Sequence, residues 1–177
     1  IYNSDRIILP GVGAFKDGMQ GLKDRGLIEP ITRAAIAGKP ILGICLGMQM
    51  LVSSSKEFGN HDGLDFISGQ VVPILENQIN KKEILKIPYI GWGKLDIDIK
   101  NKDSKSVLES IPNNSYVYLV HSFHVQTTDL NETNASYIYD GINVTAAIQK
   151  ENVIGLQFHP EKSGEVGLTV IKNFLSL

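Results

Sequence analysis

The sequence predicts an α/β domain: a mainly parallel central sheet flanked by helices, with additional antiparallel strands. Three observations predict it. Two short apolar runs, Arg6-Ile7-Ile8-Leu9 and Pro40-Ile41-Leu42-Gly43-Ile44, have the length and β-branched content of strands, the second suited to burial on both faces. Residues 14–37 between them repeat apolar positions at helical spacing, the alternation that makes parallel pairs. From Gly59 onward the pattern changes to glycine-punctuated β segments, with Asp140-Gly141 between two apolar runs as a hairpin signal.

Taken in order, residues 6–9 run into Pro10-Gly11-Val12-Gly13, whose two glycines permit positive φ and close backbone approach to a ligand. Met19, Leu22, Leu27, Ile28, Ile31, Ala35 and Ile36 then predict two helical pieces, interrupted near Gly26 and Pro30 and stopped by Gly38. Residues 40–44 form the central strand. A helix is expected over 46–53 with Met48, Leu51 and Val52 turned to a core, which puts Cys45 at a strand-to-helix corner. Residues 69–74 and 94–99 read as strands, the second alternating with period two and joined to the preceding segment by Gly91-Trp92-Gly93. A strand over 116–120 ends at His121-Ser122-Phe123-His124. The hairpin 135–149, a last strand over 153–158, and a helix over 164–177 with Val166, Val170, Ile171, Phe174 and Leu175 on one face complete the chain.

With 177 residues, 42% hydrophobic and 20% charged, one domain spanning 1–177 is expected. A net charge of −2, from 17 basic and 19 acidic residues dispersed along the chain, gives no footprint for nucleic acid or an anionic membrane. No apolar run nears the roughly 20 residues that cross a bilayer, and no basic-then-apolar leader opens the sequence, so a soluble cytoplasmic protein is the expectation. A single cysteine excludes an internal disulfide and a multi-cysteine metal site. Neither metal nor other cofactor is expected, because one thiol and a distant histidine supply too few ligands. Two readings of Cys45 remain: a buried small hydrophobe or a reactive thiol.

Gly43-Ile44-Cys45-Leu46-Gly47 has the form G-x-C-x-G, a cysteine version of the nucleophile elbow, set between strand and helix as that motif requires. The helix N-terminus behind the sulfur favours thiolate, and the Leu46 N–H faces a developing oxyanion. A thiol nucleophile needs a base and an orienting acid. Phe158-His159-Pro160-Glu161 offers both, at the C-terminal end of a strand where open α/β sheets build sites.

Leu9-Pro10-Gly11-Val12-Gly13-Ala14-Phe15, Gly43-Ile44-Cys45-Leu46-Gly47-Met48-Gln49, Tyr118-Leu119-Val120-His121-Ser122-Phe123 and Gln157-Phe158-His159-Pro160-Glu161-Lys162-Ser163 closely resemble, in order, the motifs of class I (triad) glutamine amidotransferases. Within that class the resemblance is to HisH, the glutaminase subunits of imidazole glycerol phosphate synthase. It implies a flavodoxin-like three-layer sandwich that hydrolyses glutamine and sends the ammonia into a HisF-type (β/α)₈-barrel partner, in a heterodimer. Carried over by motif, Cys45 is the nucleophile that forms a γ-glutamyl thioester, His159 shuttles protons and Glu161 orients His159. Gly11, Val12 and Gly13 with Leu46 supply the oxyanion hole, and Gln49, His121, Ser122 and Phe123 bind glutamine, the last three largely through backbone groups. Gln49 as an exposed helix residue and His121 as an ordinary strand-end histidine are the bland alternatives.

The sequence departs from the family twice. The family opens with a strand, helix and strand, of which only the strand leading into Pro10-Gly11-Val12-Gly13 is found, so a truncated N-terminus is expected. Pro88-Tyr89-Ile90-Gly91-Trp92-Gly93 stands where the histidine-pathway proteins usually read Pro-His-Met-Gly-Trp-Asn. That segment faces the synthase partner in the family: Trp92 is expected as an interface anchor, with a core tryptophan the equally simple alternative, and Tyr89 and Gly93 as changes in the partner surface. A HisH-like paralogue supplying ammonia to a sugar-modifying amidotransferase is the alternative; a γ-glutamyl or thiol peptidase and a non-catalytic binding subunit are the rivals of other classes.

Overall fold

The structure is a computed structural model describing residues 1–75, 85–99 and 105–177, so part of the expected β region after Gly59, at 76–84, lies outside the described residues. Its six-stranded sheet has the order β1 (Ile7–Gly11), β2 (Ile41–Cys45), β12 (Val153–Leu156), β11 (Ile142–Lys150), β10 (Thr133–Tyr139) and β7 (Asp96–Ile97). β1, β2 and β12 are parallel, and β11, β10 and β7 continue antiparallel. A parallel neighbour needs a crossover, and α1 (Phe15–Asp24) and α2 (Ile28–Ile36) supply it between β1 and β2. Gly26 breaks the two helices at φ 62°. Pro30 does not: it sits in the first turn of α2, where its missing N–H has no helical partner to lose.

β2 is buried at all five positions, as its unbroken apolar run requires. Leu42 and Ile44 face a core with Tyr137, Phe158, Val170 and Phe174; Ile41 faces another with Phe15, Ile31, Met48 and Leu51, the period-two alternation of a strand between two layers. α4 (Gly164–Leu175) closes the first layer with Val170 and Phe174, while Leu175, expected on that face, is 56% exposed.

Three local expectations are corrected. The helix after Cys45 is only α3 (Leu46–Met50); Val52 and Ser53 already belong to β3 (Val52–Ser55), because β4 (His61–Asp62) and β5 (Ile67–Pro73) offer ladders on its two sides. The alternating run 94–99 is not one strand. Gly91-Trp92-Gly93 lies inside β6 (Tyr89–Lys94); Leu95 turns into the core, and β7 pairs with a different sheet. Beyond β8 (Tyr116–His121) the chain continues after Ser122 as β9 (Phe123–Thr127), an unexpected strand that pairs with β5. Ser122 is thus a corner between the β6–β8 ribbon and the four-stranded sheet β4-β3-β5-β9. The Asp140-Gly141 hairpin is as expected, with φ 48° and 78° at its two turn residues. Among the described residues no helix is long and apolar enough to cross a membrane.

Candidate active site

The parallel strands end together. Register sets Gly11 beside Cys45 and Leu156 beside Ile44, so the Pro10–Gly13 loop, the elbow and the His159 turn emerge at one edge. Cys45 has φ 55° and ψ −111°, a strained conformation for a residue with a side chain, held by the strand before it and the helix after it. Glycines make the corner possible: a Cβ on Gly43 would lie 2.7 Å from the backbone of Gly47 and Met48, and one on Gly47 would lie 1.7 Å from the Leu9 carbonyl oxygen. Gly155, opposite Gly43 in the sheet, leaves room for Met48 in the same way.

Cys45 is 8% exposed, and its Sγ lies 4.0 Å from the Val120 carbonyl oxygen. Burial pushes the thiol pKa up; the Leu46 backbone N–H opposes this, nearby Glu161 adds to the rise, and Lys162 counters it. Favoured thiolate was the expectation, but a five-residue helix does not outweigh desolvation of the sulfur. A base is therefore needed, and the turn after β12, at the same edge of the sheet, carries a histidine with an orienting acid. His159 Nδ1–H donates to Glu161 Oε1 at 2.7 Å, which leaves Nε2 as the acceptor; this Nε2 is buried and has no hydrogen-bond partner among the described residues. The turn that carries them is stapled to β8: His159 N–H donates to the Tyr118 oxygen, Tyr118 N–H to Ser163 Oγ, and Ser163 Oγ–H to the His159 oxygen.

A cleft of about 510 Å³ opens over the sulfur, lined by Val12, Gly13, Cys45, Leu46, Gln49, His121, Ser122 and Phe123, all expected, and by Glu57, Pro88 and Val120, which were not. Gly11 instead packs under the elbow, its α-carbon facing the Leu46 side chain.

The chain matches the family described as Glutamine amidotransferase class-I over residues 2–176. It belongs to the class I glutamine amidotransferases. It is 49% identical over 178 residues to imidazole glycerol phosphate synthase subunit HisH 1 of Legionella pneumophila (strain Paris), covering 100% of this chain and 83% of that one. To subunit HisH of Methanosarcina barkeri it is 48% identical, covering 100% and 82%, and to that of Syntrophotalea carbinolica 41%, covering 98% and 82%. The structure of PurLQS from Thermotoga maritima superposes with a TM-score of 0.67 at 22% identity, covering 99% of this chain and 81% of that one, a likeness of fold.

In this amidotransferase neither Gln49 nor His121 fits its bland alternative. Gln49 is buried, not exposed, and its Nε2 donates to the Phe123 oxygen and to Gln157 Oε1. His121 is no ordinary strand end: its Nδ1–H donates to the same Phe123 oxygen at 2.7 Å, and its Nε2 accepts from the Tyr137 hydroxyl at 2.9 Å. Both side chains thus fix the backbone of the His121-Ser122-Phe123 corner.

Burial lowers the His121 pKa from 6.5 to about 4; the Phe123 carbonyl opposes the shift, and His124 and His159 add to it. A depressed pKa means that the folded state binds this proton less well than the unfolded chain. The stability His121 contributes is present above pH 6.5 and lost as pH falls through 4. Linkage over that interval is worth roughly 3 kcal/mol. Urea unfolding at a series of pH values should show the loss in the native protein and a flatter acid limb in His121→Gln.

Glu57 is the residue sequence reading missed. It lies in the turn after β3, and its Oε2 accepts the Phe15 N–H at 2.7 Å, so the start of α1 holds a carboxylate at the rim of the cleft. No motif or spacing marks it in the sequence.

Trp92 lies outside the cleft. It is 54% exposed on the β6–β8 ribbon, beside Ile90 and edge-on to Tyr118 at 6.0 Å. Tyr89 and Gly93 alternate inward, which corrects their assignment to the partner surface: Tyr89 packs against Tyr137 and Tyr139, and a Cβ on Gly93 would meet Leu119 at 2.4 Å. Both positions that depart from the family pattern therefore pack against the interior beneath the ribbon.

Proposed function

We propose that this amidotransferase is the glutaminase subunit of imidazole glycerol phosphate synthase, acting in histidine biosynthesis, with Cys45, His159 and Glu161 as its catalytic triad. The observation that carries the mechanism is a buried thiol at a strained elbow and, at the same edge of the parallel strands, a histidine whose tautomer is fixed by Glu161. His159 Nε2 takes the thiol proton as the sulfur attacks the γ-carboxamide carbon of glutamine. The Leu46 N–H, with a peptide N–H of the Pro10–Gly13 loop, holds the oxyanion; one such donor lowers the barrier by about 3 kcal/mol. His159 then gives its proton to the departing ammonia, deprotonates the attacking water, and glutamate leaves as the thioester breaks.

The substrate's other end fits the remaining lining. Ser122, Phe123 and the backbone near His121 offer polar groups to an amino acid, and the Glu57 carboxylate suits its α-ammonium. Glu57→Gln is expected to raise KM for glutamine about tenfold or more with a smaller change in kcat, because it removes a charge pair present in ground and transition states alike. Steady-state kinetics checks it.

Ammonia passes to a HisF-type (β/α)₈ barrel docked in a heterodimer on the ribbon of Ile90, Trp92 and Tyr116, which are each more than half exposed. Support for this surface comes from its link to the site: Lys162, from the turn between His159 and Ser163, lies over the Tyr118 ring. Because Tyr89 and Gly93 face inward, their departure from the histidine-pathway pattern gives no support to the sugar-amidating alternative. Glutamate release from glutamine, by the protein alone and with the barrel protein of the same organism, tests the proposal against a Cys45→Ala control. Release that depends on the barrel and on Cys45 is the expected result; release indifferent to Cys45 contradicts it.

A further inference from the structure

We propose that Gln157 is a positioning residue for the nucleophile, its carboxamide N–H holding the Cys45 sulfur as the thiolate forms and again as it leaves the thioester. The proposal rests on Cys45 being the nucleophile. Gln157 is fully buried, at 0% exposure, and its Nε2 lies 3.8 Å from Cys45 Sγ. A chain of hydrogen bonds leaves only one orientation for its amide. The Phe123 carbonyl oxygen can only accept, so the group of Gln49 that faces it is the Nε2 amino group. The same Nε2 also reaches Gln157 at 3.0 Å, so the Gln157 atom there is the oxygen, Oε1. The Gln157 amino group is then the one turned to the sulfur.

This donor meets a need the other groups leave open. The Val120 carbonyl oxygen, 4.0 Å from the sulfur, can only accept, so it gives nothing to a thiolate. The Leu46 N–H does reach the sulfur, but during attack it is required by the oxyanion. Gln157, with no place at the substrate carbonyl, stays with the sulfur throughout. Its partner Gln49 lines the cleft, so the residue that touches glutamine also holds the residue that holds the nucleophile.

Cys45 is the only cysteine, so alkylation by iodoacetamide reports on it alone. Gln157→Glu keeps the volume and the acceptor for Gln49 but replaces the donor with a charged oxygen; Gln157→Met removes the donor without adding charge. In both, the pH midpoint of the alkylation rate should rise, with the rate at neutral pH falling about tenfold in Gln157→Met and further in Gln157→Glu. With the barrel partner, kcat for glutamine should fall in both, while KM stays within about twofold in Gln157→Glu, which keeps the acceptor for Gln49. Folded variants that alkylate with the native profile would overturn the proposal. In the unmodified protein, the side-chain amide resonances of Gln157 should move with the same midpoint. Should neither variant fold, resonances that ignore thiol ionisation overturn it. A failed glutaminase reading is distinguishable, because it appears as absent glutamate release by the native protein and leaves the thiol titration unchanged.

Discussion

His159→Asn is expected to lower kcat for glutamine hydrolysis by about 10⁴-fold while leaving the fold intact. In the proposed mechanism the imidazole moves protons on and off Cys45, and burial makes such a base indispensable: the thiol pKa is raised, so little thiolate exists without one. The structural cost is small. Among the described residues Nε2 has no hydrogen-bond partner to lose, and the backbone of residue 159, which holds the turn to Tyr118, is unchanged. Asparagine keeps a donor for Glu161 but offers no proton shuttle. Single-turnover glutamate release and thermal melting on the same samples separate the two effects. A matching fall in melting temperature would mean that His159 serves the fold instead.

Gly47→Ala should have the second largest effect, and it should act on stability and activity together. The added methyl would sit 1.7 Å from the Leu9 carbonyl oxygen and 2.9 Å from its carbon, both backbone atoms of β1. Neither α3 nor β1 can yield alone, because Cys45 fixes the first and pairing with β2 the second. Relief requires β1 to move, which carries the Pro10–Gly13 loop away from the sulfur. A loss of about 3 kcal/mol or more is expected, roughly 10 °C in melting temperature for a chain of this size. Glutaminase activity of the surviving folded fraction should fall as well, since the loop supplies an oxyanion donor. Native melting temperature and native turnover would show that the elbow tolerates a side chain there.

The features legible in the sequence were those encoded within a few residues. The elbow is a local pattern of strand, two glycines and helix, and its cysteine carries the positive φ that the pattern implies. His159 and Glu161 meet within one turn, so their pairing needed no tertiary knowledge. Glu57 was hidden because it reaches the cleft only after β3 has paired with β5 and α1 has offered the Phe15 N–H, contacts separated by up to 42 residues. Gln157 was visible as a motif letter, but its role depends on Gln49, 108 residues away. Competition from tertiary pairing explains the misread elements. Val52 and Ser53 continued a helical pattern yet found strand partners, and the alternation over 94–99 concealed a switch of sheets at Leu95. Tyr89 and Gly93 looked like surface changes because the inward face of β6 was not known; packed against Tyr137 and Leu119 respectively, they are a matter of volume.

Covalent capture tests the central claim most directly: incubation with a glutamine analogue whose side chain ends in an electrophilic diazoketone, followed by mass spectrometry of the intact protein and its peptides. One adduct per chain on the peptide containing Cys45, suppressed by excess glutamine and absent after His159→Asn at neutral pH, is the predicted result. A label elsewhere, or an unmodified Cys45 in the presence of the barrel partner, would contradict a thioester at this sulfur.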